Sequence, residues 1–132
     1  NLLSDCEVTA SSTRSQRFSP QNVLCDDDSH YWAAEDGIDR AELVFEFPET
    51  TPLNTVALQE YIPLGQNVKV FSIAYYRNGK WLPVETDEPM TTIGHKRIVR
   101  FETVGAEKLR VRFVVGKGVL SITRVGAYRH QS

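Results

Sequence analysis

The densest group of chemically capable side chains in this sequence is acidic. Three consecutive aspartates occupy positions 26–28, and Glu35 and Asp36 follow shortly after Trp32. Glycoside hydrolysis needs two carboxylates, whereas close-set oxygen ligands beside a large aromatic residue suit a hard cation such as calcium, which takes about six to eight oxygens. Three adjacent aspartates cannot all be desolvated without a cation or strongly raised pKa values. We therefore interpret this stretch as a solvated or ion-binding loop rather than a catalytic pair.

The other reactive side chains form no familiar catalytic motif. The three histidines are far apart, and the sequence contains no Cys-x-x-Cys, no Gly-x-Ser-x-Gly and no glycine-rich phosphate loop. Cys6 and Cys25 could form one disulfide in an oxidising compartment or remain two buried thiols. The residues themselves therefore indicate no catalytic constellation.

Length and charge narrow the classes further. The chain has 132 residues, a mass of 14.9 kDa and a formal net charge of −2, which predicts one domain over residues 1–132. No apolar run approaches the about 20 residues of a membrane span, and a slightly negative chain is poorly suited to bind nucleic acid by neutralising phosphates. Because Met90 is the only methionine, we expect a processed protein or a module cut from a larger one.

The elements that must position these residues are strands. Alternating apolar and polar residues predict strands at 41–47 and 108–114, and β-branched and aromatic residues predict strands at 53–61 and 68–77. Asn78 and Gly79 separate the 68–77 run from a short run at 80–82, which is typical of a tight hairpin. Further strands are predicted at 97–102 and 120–128, one helical turn at 20–24, and loops at 50–52 and 87–89. Some seven or eight strands with little helix predict an all-β fold, either a β-sandwich or a jelly roll.

Several of these segments resemble one known family. Residues 1–3 and 8–12, the loop 22–32, the hairpin 75–81 and the closing strand 122–128 are similar to the galactose-binding-like modules, also called discoidin or coagulation-factor type C domains. Residues 58–68 and 91–98 resemble, more narrowly, the C-terminal module of bacterial and plant α-L-fucosidases. The resemblance implies a jelly-roll module attached to a catalytic barrel that this sequence lacks, and hence a non-catalytic chain.

The resemblance also implies a calcium site, which this sequence fills only in part. Asp27 stands at the family's aspartate position, but Cys25 and His30 replace two other ligands. Arg124 stands where the family has a glutamate, and its charge would repel calcium. We therefore expect no bound calcium, and we predict that Arg124 pairs with Asp27 or a neighbour in place of the ion.

Sugar binding needs an aromatic face for the ring and fixed polar groups for the hydroxyls. Four loops, 14–18, 33–38, 61–67 and 93–96, offer both kinds of group, although the loop 61–67 lacks the arginine usual in the family's galactose binders. Tyr61 is the predicted stacking residue. The predicted polar contacts are Glu35, Asp36, Glu60, Gln66 and His95. Alternatively, Tyr61 belongs to the core and Glu60 and His95 are structural; Trp32 and Trp81 are predicted as core anchors.

Two functions follow from the resemblance. The first is a carbohydrate-binding module of a secreted, periplasmic or cell-surface α-L-fucosidase-like enzyme, binding galactose- or fucose-containing glycans. The second is a structural module that packs on the catalytic domain through residues 59–60 and 94–96 and shapes its cleft without binding sugar. Adhesion to protein or lipid, as in other branches of the family, is a third and weaker interpretation because the predicted loop tips are mostly polar.

Overall fold

The computed structural model describes residues 2–24, 30–35, 37–61, 63, 65, 67–86, 90, 91, 93, 96–116 and 118–129. These residues form seven strands: β1 (Glu7–Ala10), β2 (Trp32–Ala33), β3 (Arg40–Glu60), β4 (Val68–Arg77), β5 (Lys80–Pro83), β6 (Arg97–Val115) and β7 (Ser121–Tyr128). Three short 3₁₀ helices, Leu2–Asp5, Gln16–Phe18 and Pro20–Leu24, complete the described part. The predicted all-β jelly-roll class is confirmed, with seven described strands where seven or eight were predicted. Within the described residues, no helix is long and apolar enough to cross a membrane.

Two long strands organise the fold. β3 and β6 pair antiparallel in three stretches: Arg40 to Glu46 lies opposite Lys108 to Val114, Thr51 to Leu53 opposite Val104 to Ala106, and Thr55 to Leu58 opposite Arg97 to Arg100. We call the last stretch, with its neighbours, the second arm. In the first stretch, which we call the first arm, β1 flanks β3 and the β4–β5 hairpin flanks β6. In the second arm, β7 pairs with the end of β3 and β2 pairs with β7.

The continuity of β3 and β6 differs from the prediction, which divided each into two strands. Residues 50–52, predicted as a loop, lie inside β3. The ladder shifts its register between Glu46 and Thr51, and Pro48 and Pro52 lie exposed on either side of this shift. Because proline lacks an N–H donor, it is tolerated where the ladder is irregular, so β3 bends here instead of ending.

The turn between β4 and β5 is the predicted tight hairpin. Asn78 has φ 53° and Gly79 has φ 79°, and Arg77 pairs with Lys80 across the turn. Positive φ at both central residues is the type I′ geometry that matches the right-handed twist of the strands. The prediction from the Asn-Gly pair is confirmed.

The two arms face each other across one apolar core. Phe45 and Phe113 from the first arm and Leu58 and Val125 from the second belong to the same buried cluster. Trp32 is fully buried, with its Nε1 donating to the carbonyl of Ser12 at 3.0 Å. Trp32 is therefore the core anchor that the sequence predicted, and its hydrogen bond to Ser12 joins β2 to the segment that follows β1.

Cys6 has a free, half-buried thiol, and its predicted partner Cys25 lies outside the described residues. Burial, with a smaller contribution from Asp5, raises the pKa of the Cys6 thiol from 9.0 to about 11. Because the folded-state pKa is the higher one, this thiol contributes stability that is fully present below pH 9 and lost as the pH rises towards 11.

We expect iodoacetamide to alkylate native Cys6 about 100-fold more slowly at pH 8 than it alkylates the chain in urea, because only the thiolate reacts. Mass spectrometry of the tryptic peptide 1–14, which contains Cys6 alone, measures both rates. Equal rates would contradict the raised pKa. Protection that persists in urea until a reductant is added would show a disulfide instead.

Candidate functional site

Three aromatic rings form a row at one end of the fold. The rings of Tyr31 and Tyr61 are stacked, with centroids 4.0 Å apart and planes at 15°, and the ring of Phe18 lies 5.0 Å from that of Tyr31. These rings, together with Arg17 and His30, line a cleft of about 610 Å³, which we call the aromatic cleft. Its volume lies in the about 300–1,000 Å³ range of small-molecule sites.

One side chain ties together the two segments that carry Phe18 and Tyr31. Asn22, on the 3₁₀ helix Pro20–Leu24, donates from Nδ2 to the carbonyl of Arg17 at 2.8 Å and to the carbonyl of Tyr31 at 2.9 Å. Phe18 ends the preceding 3₁₀ helix, with its N–H bonded to the carbonyl of Ser15 at 3.0 Å. The short helices therefore hold the ring of Phe18 beside the segment that leads into β2.

Strand β7 holds the other side of the cleft. Thr123 Oγ1 donates to the carbonyl of His30 at 2.7 Å, and the N–H of Tyr61 donates to the carbonyl of Ser121 at 3.1 Å. Tyr31 directly precedes the buried Trp32, and Tyr61 directly follows the end of β3. Tyr61 is thus attached to β7 through its own N–H group, and Tyr31 through the carbonyl of the preceding residue, His30.

Glu60 occupies a different place from the predicted sugar contact. It is only 2% exposed, and its Oε2 accepts hydrogen bonds from the N–H groups of Asn67 at 2.8 Å and Val68 at 3.3 Å. A carboxylate that is buried and accepts backbone donors shapes the loop 61–67 and does not face a ligand. Of the two interpretations of Glu60 from the sequence, the geometry supports the structural one.

The cleft is positively charged at one end. The guanidinium carbons of Arg14 and Arg17 lie 5.5 Å and 5.8 Å from the centre of the Phe18 ring, within cation–π distance. An aromatic face and guanidinium N–H donors together suit a ligand with an apolar ring face and oxygen acceptors around its edge.

The predicted polar contacts are only partly placed by the structure. Glu35 is exposed near the cleft segment, with its N–H bonded to Ser12 Oγ at 3.0 Å, but it does not line the aromatic cleft. Asp36, Gln66 and His95 lie outside the described residues. Sequence reasoning missed His30, Tyr31 and Arg17; the position of Tyr31 next to a buried tryptophan is the one signal that could have indicated an outward-facing ring.

Residues 25–29 of the predicted calcium loop lie outside the described residues, so the expected absence of calcium stays a prediction. Asp27 lies outside them, so its pairing with Arg124 stays a prediction. The carbonyls of His30 and Tyr31 already accept from Thr123 and Asn22. In the part of the chain that is described, no group of three His, Cys, Asp or Glu side chains could hold a metal.

Trp81 lies away from the core, contrary to its prediction as an anchor. It is half-buried on β5, where its ring meets Tyr76 edge to face at 5.2 Å, and the guanidinium of Arg110 lies 4.4 Å from its centre. Burial lowers the pKa of Arg110, nearby Arg112 adds to this lowering, and Glu42 opposes it. Leu82 and Pro83, which follow Trp81 on β5, are both exposed.

Replacing Asn22 with alanine is expected to lower the free energy of unfolding by about 1–2 kcal/mol, because two backbone carbonyls lose their side-chain donor. Urea unfolding measures the loss, and near-ultraviolet circular dichroism reports on the aromatic row. Gln21→Ala is the matched control, since the Gln21 side chain makes only one long bond, of 3.4 Å, to Val8. A spectrum unchanged in Asn22→Ala would show that Asn22 does not position the rings.

Comparisons with known proteins give this arrangement a context. The F5/8 type C domain family matches residues 7–125. A candidate α-L-fucosidase 1 from Oryza sativa subsp. japonica is 34% identical over 115 residues, which make up 84% of this chain and 22% of the rice protein. The crystal structure of a candidate α-L-fucosidase from Bacteroides thetaiotaomicron matches with a TM-score of 0.93 and 31% identity, over 99% of this chain and 29% of that chain.

The curated relatives are much longer than this chain, which spans only 22–23% of their length. The matched part is their small non-catalytic F5/8 type C module. The family 32 carbohydrate-binding module of Clostridium perfringens NanJ, solved with galactose, shares the fold with a TM-score of 0.80 at 14% identity, over 96% of this chain and 95% of that chain.

Proposed function

Because this chain belongs to the F5/8 type C domain family, we propose that it is the carbohydrate-binding module of a secreted or cell-surface α-L-fucosidase-like enzyme. The proposed ligand is a galactose- or fucose-containing glycan, and the proposed site is the aromatic cleft. The observation that carries the proposal is the row of Phe18, Tyr31 and Tyr61 beside Arg17. The galactose complex of a module with the same fold supports the ligand class.

The geometry of the cleft suits weak, reversible binding. The rings of Tyr31 and Tyr61 each cover one face of the other, so a ligand would meet the outer face of Tyr61 and the edges of the row. Arg17 and His30 are exposed beside the row, where they can donate to hydroxyl oxygens. The cleft is open, so a ligand would bury only part of its surface, and we expect dissociation constants of about 1 mM, or about −4 kcal/mol. Weak binding is sufficient for a tethered module, because it raises the local concentration of the attached enzyme on its glycan.

Calorimetric titration tests the proposal. Galactose, N-acetyllactosamine and a fucosylated trisaccharide are each titrated into the protein, with glucose as the control sugar. We expect saturable heat for at least one galactose- or fucose-containing ligand, together with chemical-shift changes at Tyr31 and Tyr61. Absence of binding at 20-fold the expected dissociation constant, about 20 mM, would overturn the proposal.

A second function is favoured by the face that carries Trp81. Tyr76, Trp81, Lys108 and Arg110 lie together outside the core, and tryptophan, tyrosine and arginine are the residues that most often anchor protein interfaces. We propose that this face packs on the catalytic domain of the parent enzyme, since the matched fucosidases are about four times longer than this chain.

Thermal unfolding of the parent enzyme tests whether the Trp81 face packs on the catalytic domain. Trp81→Ala is expected to separate the unfolding of the module from that of the catalytic domain, whereas Tyr61→Ala is expected to leave one joint transition. Joint unfolding in both variants would contradict a contact through Trp81.

A further inference from the structure

We propose that the outer face of the second arm is a separate binding site for an acidic oligosaccharide, one that bears sulfate groups. The site, which we call the cationic groove, is a depression of about 430 Å³. Its lining residues are Thr55, Ala57, Gln59, Lys96, Ile98, Arg100, Arg124, Gly126 and Tyr128. It shares no lining residue with the aromatic cleft.

Strand alternation brings these residues to one face. Thr55 pairs with Arg100 on one side and with Tyr128 on the other, and Gln59 pairs with Arg124. The intervening residues point into the core, where Val56, Leu58, Val99 and Val125 are fully buried. The groove is therefore the solvent side of the β6–β3–β7 sheet, and its rigid backbone holds the cations at fixed positions.

The floor of the groove is low because its central residues are small. Ala57 pairs with Gly126 at the middle of the face. A Cβ atom added at Gly126 would lie 2.7 Å from the hydroxyl oxygen of Tyr128 and 3.0 Å from its Cζ. The ring of Tyr128 therefore lies down over Gly126, which leaves a flat aromatic surface between the charged side chains.

The charge of this face is opposite to that of the whole protein. The residues that line the groove include three cations, Lys96, Arg100 and Arg124, and no acidic residue, whereas the chain has a net charge of −2. Glu60 is buried and bonded to Asn67 and Val68, so it does not face the groove. The concentration of positive charge on one face predicts an anionic ligand.

The spacing favours an extended ligand over a single small anion. With a rise of about 3.3 Å per residue and about 4.8 Å between strands, Lys96 and Arg100 lie about 13 Å apart, and Arg124 lies about 10 Å across the sheet from Lys96. One sulfate or phosphate cannot reach both Lys96 and Arg100. Gln59, an uncharged donor and acceptor between the cations, and the ring of Tyr128 suit hydroxyls and a sugar face, which favours an acidic glycan over a peptide.

Heparin octasaccharide and its desulfated form are the probes for this site, with the protein used as the whole 132-residue chain. Lys96→Ala/Arg100→Ala removes two exposed cations and is expected to weaken heparin binding at least tenfold at low salt. The matched control is Arg77→Ala/Lys80→Ala, which removes two exposed cations from the β4–β5 hairpin and is expected to change binding less than twofold. The desulfated octasaccharide is expected to bind at least tenfold more weakly than heparin, and added salt is expected to weaken heparin binding.

Three results would overturn the proposal. They are equal losses in the two double variants, equal binding of desulfated heparin, and equal affinity for single-stranded DNA of the same charge, which would indicate a general anion surface. Tyr61→Ala separates this site from the proposed function, because heparin binding is expected to survive it. A loss of heparin binding in Tyr61→Ala would show that only one site exists.

Discussion

Replacing Tyr61 with alanine is expected to weaken glycan binding about 10- to 100-fold. The Tyr61 ring is stacked on Tyr31 at 4.0 Å, so its loss removes one stacking surface and frees the neighbouring ring to move. Aromatic contacts at the centre of an interface are commonly worth about 1.5–3 kcal/mol, which corresponds to this range of affinity.

Titration calorimetry of Tyr61→Ala against the best ligand measures the effect. Tyr61→Phe keeps the ring and is expected to retain most of the affinity, and Trp81→Ala is the matched control for removal of a half-buried aromatic residue outside the cleft. If Tyr61→Ala binds like the unaltered protein while Trp81→Ala does not, the sugar site lies on the other face and the aromatic cleft has been wrongly assigned.

Replacing Glu60 with alanine is expected to have the largest effect on stability, a loss of about 2–4 kcal/mol in the free energy of unfolding. The substitution leaves the N–H groups of Asn67 and Val68 without their acceptor. Most of the lost free energy comes from N–H donors that stay buried without their charged acceptor. The melting temperature is expected to fall by roughly 6–15 °C for a domain of this size.

Urea unfolding of Glu60→Ala tests this prediction, with Glu35→Ala as the matched control. Glu35 is an exposed glutamate, and its substitution is expected to change stability by less than about 0.5 kcal/mol. Glu60→Gln keeps one oxygen acceptor and is expected to fall between the two. Similar stability in all three variants would mean that the carboxylate does not hold the loop 61–67.

The strands were predictable where side-chain alternation is strict and the turn is short. Alternation predicted the buried Leu109, Val111 and Phe113, and the Asn78–Gly79 turn predicted the β4–β5 hairpin. The continuity of β3 was not predictable, because proline and threonine at 50–52 are typical of a loop. Only pairing with a partner strand distant in sequence shows that the chain stays extended there.

The candidate site was predictable only in outline. Tyr61 was identified because it follows an apolar strand, but its partners Tyr31 and Phe18 come from separate segments that meet through Asn22. Glu60 was predicted as a ligand contact because a sequence shows a charge without its burial. The burial of Glu60 continues the alternation of β3, in which Val56, Leu58 and Glu60 are buried. A charged residue at a core position becomes explicable only with its partners, the N–H groups of Asn67 and Val68, which lie beyond the strand.

The pairing of β3 with β6 sets the time at which this protein can fold during synthesis. β3 ends at Glu60, but its partner is complete only at Val115, so 55 further residues must be made first. At about 5–20 residues per second, the apolar side of β3 waits roughly 3–11 s without its ladder. Proteins whose contacts are this distant in sequence also fold slowly, with folding times of about milliseconds to seconds. During this interval β3 can pair with β1, which is made before it, but not with β6.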